Sequence, residues 1–234
     1  MADQVDVAPS EVDDSSAPSG IEHRPRMRGW LHVGGFFAFL CAAPWLLSRS
    51  PSTGATIALS VYIVSVLALF GTSALFHRVR WSEAGRRRMR RLDHSMIFLA
   101  IAGSYTAVAG LVLTGPARLL ILILVWGGGI AGVVLRQVWL DAPKWVIAIP
   151  YIVVGWSALA VLPQLFHALG GWGFGWLIAG GLFYTVGAIA YSAKRPNPIP
   201  GVFGYHEVFH TGTLLGALCH FVVVAFFAIP IAAR

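Results

Sequence analysis

Near the end of the chain, five consecutive residues read His206-Glu207-Val208-Phe209-His210. The two histidines are four positions apart, so in a helix their imidazoles lie on one face. Histidines so placed can hold one zinc ion, with a third ligand from another helix. The string also fits the H-E-x-x-H pattern of zinc proteases, whose glutamate serves as the base. Further candidates lie upstream. Ser73 and His77 are again four apart, and Asp93 opens a later apolar stretch. His77 offers the third nitrogen, and Asp93 can hold a metal-bound water or accept a hydrogen bond from a ligand histidine. Zinc lowers the pKa of a bound water toward ~7, which makes a nucleophile at neutral pH. Whether this is a protease depends on where the residues sit.

Of the 234 residues, 57% are hydrophobic and only 12% charged. An average soluble domain carries about a quarter charged residues. Six acids fall in the first 22 residues (Asp3, Asp6, Glu11, Asp13, Asp14, Glu22), and only Glu83, Asp93, Asp141 and Glu207 follow. Most of the remainder is apolar stretches of roughly 20 residues, the length that crosses a hydrocarbon core ~30 Å thick. The chain is expected to be an all-α, multi-pass protein of the cell membrane, surrounded by membrane lipids. Its formal charge of +7 does not indicate nucleic acid. The arginines sit between apolar spans, where the positive-inside rule puts them. The acidic, polar start is unlike a cleavable signal peptide, which begins basic and then turns apolar. Cys41 and Cys219 both fall inside apolar spans, where they fill space and form no disulfide framework.

Residues 1–28 are expected to form an acidic tail with a short basic stretch (Arg24, Arg26, Arg28), disordered over 1–22. Residues 29–234 are expected to form a seven-helix membrane bundle. Its spans fall at about 29–48, 54–77, 93–113, 119–139, 145–164, 172–192 and 206–230. They must be helices, because lipid offers open backbone no partner. With the N-terminus in the cytoplasm, fourteen basic residues lie inside, and only Arg49, Arg118 and Arg234 outside. That imbalance puts the C-terminus outside. Gly128 and Gly132, with Gly180, Gly181 and Gly187, allow close helix contact. Pro150 and Pro163 are expected to kink or end the fifth span.

An ionisable residue within a span is costly and so a functional candidate. In this topology His77 ends span two at the cytoplasmic boundary. Asp93 begins span three there, and His206 and His210 begin span seven there. Helices distant in sequence thus bring their polar residues to one depth. The other histidines read differently. His23 and His167 are expected to be solvated and His32 structural. His94 points about 100° away from Asp93 and reads as interfacial. His220 lies roughly 15 Å deeper than His210, too far to share a metal, and reads as a cavity-lining or core residue.

Three motifs carry a family resemblance. Ser73-Ala74-Leu75-Phe76-His77, Arg91-Leu92-Asp93-His94-Ser95 and His206-Glu207-Val208-Phe209-His210, with His220 further on, together resemble the hemolysin III family. The progestin and adipoQ receptors are its wider relatives. The resemblance covers about residues 28–230. It implies seven helices with the N-terminus inside and a zinc ion near the cytoplasmic face. The implied zinc ligands are His77, His206 and His210, with Ser73 and Asp93 beside them. Many members carry a Glu and an Asn at the start of span one, where this chain reads Arg28-Gly29-Trp30-Leu31-His32. A soluble-type protease is not expected. The motif heads a transmembrane helix, Asp93 is available to handle the water, and Glu207 points roughly 100° away from His206. Glu207 is expected to face the boundary or to orient a ligand.

Three functions remain in contention. The resemblance extends to the alkaline ceramidases, which implies a zinc-dependent hydrolase of a lipid amide or ester. Asp93 would then take the proton of the attacking water and Ser73 would help hold the oxyanion. Alternatively, zinc only staples the helices of a receptor-like or membrane-homeostasis protein. The family name suggests a cytolysin, ranked third as a mechanism because neither a secretion signal nor an amphipathic segment that could exist first in soluble form is expected from the sequence.

Overall fold

The computed structural model describes residues 25–234. The expected acidic tail over 1–22, with His23 and Arg24, lies outside the described residues. Among the described residues the architecture is all-helical, and the pairing of Ile199 with Phe203 is an isolated bridge. The helices are α1 (Trp30–Ser48), α2 (Thr53–Arg78), α3 (Glu83–Val112), α4 (Gly115–Val138), α5 (Lys144–Gly155), α6 (Leu162–Ala193), α7 (Tyr205–Val223) and the short α8 (Ile229–Ala232).

Among the described residues, six helical segments are long and apolar enough to cross a membrane. Large apolar side chains such as Phe37, Ile57, Val64 and Val138 face outward, which suits a chain solvated by lipid. This is a multi-pass membrane protein. The segments expected at 145–164 and 172–192 both lie in one 50-residue element, Lys144–Ala193. Its irregularities have local causes. The helix breaks between Pro150 and Pro163: α5 ends at Gly155, a 3-10 turn covers Ser157–Val161, and Pro163 falls in the first turn of α6, where its missing N–H costs nothing. Tyr105 of α3 repairs the break. Its hydroxyl donates to Gly155 O at 2.6 Å and accepts from Ala158 N at 2.9 Å, so the freed backbone groups are satisfied without water. A second bend falls at Gly170, whose φ of 66° and ψ of 174° suit glycine alone.

Helix α3 starts earlier than expected. Ser82 accepts from Gly85 N at 3.2 Å as its N-cap, and Glu83 occupies the first turn. Arginine is a good helix former, so the run Arg86–Arg91 is helical. Asp93 therefore lies well inside a helix.

Small residues let the helices approach closely. A Cβ at Gly132 would come within 2.2 Å of the Phe98 ring on α3, and one at Gly128 within 2.8 Å of Val154 on α5. The tightest backbone approach joins α6 to α7: a Cβ at Gly212 would lie 2.7 Å from Phe183 O and 3.1 Å from Gly187 Cα. Backbone cannot yield there as a side chain can. Gly212→Ala should therefore lower the unfolding temperature in detergent, in line with an overpacking cost of ~1–3 kcal/mol. Gly127→Ala, with nothing within 4 Å of the added carbon, should leave the temperature unchanged. Equal melting of the two variants would refute the close α6–α7 approach.

Candidate metal centre

Helix α7 opens at Tyr205, and its first turn explains where its acidic residue goes. Glu207 Oε2 accepts from Gly204 N at 2.9 Å, and Asn197 Oδ1 accepts from Tyr205 N at 2.9 Å. The other Glu207 oxygen accepts from Arg28 Nε at 2.5 Å. Glu207 is fully buried and does not face the boundary. Its two oxygens are engaged in starting the helix and in pairing with the segment ahead of α1.

With Glu207 so held, His206 and His210 turn toward the end of α2. His206 Nε2 lies 3.2 Å from His77 Nε2. One ligand nitrogen from each of His77, His206 and His210 falls within 4.8 Å of the others. Zn–N bonds of 2.0–2.1 Å in a tetrahedron put two nitrogens about 3.3 Å apart, close to the His77–His206 separation. His210 is buried, and its Nδ1 has no hydrogen-bond partner, an orphan of the kind that needs an explanation. These three residues could hold a metal ion, and the donor set suits zinc.

Ser73 and Asp93 are both buried. They come from α2 and α3 respectively. Together with His206 and His210 they line one small cavity. A larger, mostly apolar cavity shares its walls, including Leu69, Ile97, Tyr151 and Phe209. His220 lines this second cavity beside Tyr184, whose ring centroid is 5.4 Å away. It stands apart from the three-histidine group, as its depth implied. His167 is exposed, Cys41 is exposed and Cys219 is buried, the two cysteines unpaired.

Two histidines read as ordinary border the small cavity. His32 is buried and stacks on His210, with centroids 3.9 Å apart and planes at 7°. Its position near the start of α1, at the expected depth of the other histidines, was the available signal. His94 is half-buried and has a charged partner. Its Nδ1 lies 2.7 Å from Arg136 Nη2, because α3 continues past it and the last turn of α4 packs alongside. Arg136, counted as a loop charge by the positive-inside argument, is buried and also donates to Trp139 O and Leu140 O. No local sequence pattern announces this pair.

Residues 21–221 match the family described as haemolysin-III related. The chain is 31% identical over 185 residues to Hemolysin-3 of Bacillus cereus, covering 79% of this chain and 81% of that protein. It is 29% identical over 175 residues to a Hemolysin-3 homolog of Bacillus subtilis (strain 168), covering 75% and 79%. It is also 26% identical over 214 residues to an Adiponectin receptor protein of Drosophila melanogaster, covering 82% of this chain but 48% of that one. No solved structure matches the chain significantly.

The histidine geometry predicts close to one zinc per chain in detergent-purified protein, measured by elemental analysis. His77→Ala, His206→Ala and His210→Ala should each lose most of it, and His220→Ala should keep it. Full retention in the first three variants would put the metal elsewhere.

Proposed function

The chain belongs to the haemolysin-III related family, and from that premise we propose a zinc-dependent hydrolase that cleaves a lipid amide or ester near the cytoplasmic face. The observation that carries this reading is the shared wall. Buried Asp93 and Ser73, with His206 and His210 of the histidine group, line a small cavity that shares wall residues with a larger, mostly apolar one. An acyl chain suits the larger cavity, and its carbonyl then lies in the small one beside Asp93 and Ser73. His77, His206 and His210 would hold the zinc, which supplies Lewis acidity and activates water.

Asp93 is the group free to act as base. Glu207 is excluded from that role because both its oxygens are committed to Arg28 and Gly204. Ser73 carries a single hydroxyl proton. Donated to Asp93, it orients the carboxylate toward the water. If it swings to the substrate carbonyl, it helps hold the developing negative charge.

Seven passes suit this reading. At 1.5 Å rise per residue, the 50-residue element Lys144–Ala193 is roughly 75 Å long, more than twice a hydrocarbon core of ~30 Å. The bend at Gly170 lets it fold back as two passes. The distribution of basic residues supports a cytoplasmic N-terminus and an external C-terminus. With that orientation a periplasmic reporter fused after Arg234 should be active and one inserted before Glu83 silent. The reverse pattern would overturn both the orientation and the cytoplasmic placement of the site.

A second reading keeps zinc as a structural staple, since His77 of α2 and His206 of α7 meet directly. Asp93→Asn separates the two. An amide preserves shape and hydrogen bonding but takes no proton at neutral pH. In a hydrolase the variant should keep its zinc and melting temperature and lose a factor of ~10²–10⁴ in rate. The assay incubates purified protein with ceramide-like amides and lipid esters and measures released fatty acid. If zinc-loaded wild-type protein releases no more than Asp93→Asn across the panel, the hydrolase reading fails and the staple stands.

A further inference from the structure

We propose that His94 binds the carbonyl oxygen of the lipid substrate through its Nε2–H, and that Arg136 is the positioning residue that makes this nitrogen the donor. The inference rests on the reading of the cavity as a lipid amide or ester site. It starts from a contact that reading does not use. Arg136 Nη2 lies 2.7 Å from His94 Nδ1. A guanidinium has five donors and no acceptor, so Nδ1 must accept. The ring's proton is then on Nε2, at the other edge of the imidazole.

Arg136 is held firmly in this role. It is buried, and it donates to Trp139 O at 3.0 Å and to Leu140 O at 2.9 Å, the carbonyls that follow α4. Those carbonyls carry the negative end of the helix, which favours a cation there. The backbone of His94 is fixed as well, because Tyr151 of α5 donates to His94 O at 3.0 Å. His94 lines the small cavity with Ser73, Asp93, His206 and His210, whereas Arg136 stands behind it and does not. The edge of His94 away from Arg136 is therefore the one turned to the cavity.

The site needs such a donor. With the Ser73 proton donated to Asp93, the imidazole of His32, the Tyr191 hydroxyl and His94 Nε2–H remain in the cavity wall, and of these the His94 donor is the one whose tautomer is set by a cationic partner. During attack a C–O bond forms from water to carbon, and the carbonyl pair moves onto its oxygen. The Nε2–H stabilises that charge without transferring its proton, and Asp93 takes the proton of the water. The carbonyl then re-forms as the bond to the amine or alkoxide breaks and the leaving group recovers a proton.

Two measurements on the full chain in detergent test this. The first is nitrogen NMR of protein labelled in its histidines, with His94 assigned by its loss in His94→Gln. The Nε2–H tautomer is expected in the wild-type protein, and loss of its dominance in Arg136→Met. A wild-type Nδ1–H tautomer would overturn the proposal whether or not Arg136→Met folds. The second is binding of N-oleoylethanolamine to Asp93→Asn protein, which isolates binding from turnover. Adding His94→Phe should weaken binding about tenfold, and adding His94→Gln, which keeps an N–H near the same place, should restore it to within about threefold. Unchanged binding in the phenylalanine variant, or no binding by Asp93→Asn itself, overturns the proposal. Wild-type protein that releases no fatty acid while both results hold would sink the hydrolase alone and leave His94 as a carbonyl donor in a receptor-like site.

Discussion

A polar group inside hydrocarbon has only other protein groups to bond with, and the arrangement around the site follows from that constraint. Glu207 would be untenable alone at full burial. Arg28 Nε and the N–H of Gly204 take its two oxygens, and the start of α7 is anchored as a result. That anchor turns His206 and His210 toward α2 and places His206 Nε2 3.2 Å from His77 Nε2. Asp93 of α3 and Ser73 of α2 line one cavity with His206 and His210. Glu207 with Arg28, and His206 with His77, are polar groups that partner each other from segments far apart in sequence.

The close packing that permits this depends on what is missing from the helix surfaces. Gly187 and Gly212 let α6 and α7 touch backbone to backbone, and Gly132 makes room for the Phe98 ring. Such contacts substitute for a hydrophobic driving force, which is weak between helices already in lipid. The irregular stretch between α5 and α6 is tolerated for a related reason. Tyr105 supplies both the donor and the acceptor that the broken helix lacks.

Within the site, the residues divide by how they are held. Glu207 and Arg136 are committed to helix ends, and their effects reach the cavity through the histidines beside them. Asp93 and His94 are neighbours in sequence with opposite proposed tasks, one as proton acceptor and the other as hydrogen-bond donor. Their side chains diverge around the helix, yet both line the same cavity. An apparent mismatch between angular separation and shared surroundings disappears once α4 and α5 pack against α3 and α7 lines the far side of the cavity.

The sequence alone determined the all-helical, multi-pass character and the grouping of His77, His206 and His210. Apolar length reports membrane solvation directly, and the spacing of His206 and His210 maps onto one helix face. Alternating passes then bring span ends to a common level, which also drew in Ser73 and Asp93. The tertiary structure alone decided the partners of Glu207, His94 and His32. Arg28 and Glu207 are 179 positions apart, and Arg136 in sequence is indistinguishable from the other basic residues near span ends. A lone histidine such as His32 has no period to mark it. Periodicity and hydropathy record how a segment meets its solvent, whereas the choice of partner depends on which helices pack together, and no single segment encodes that.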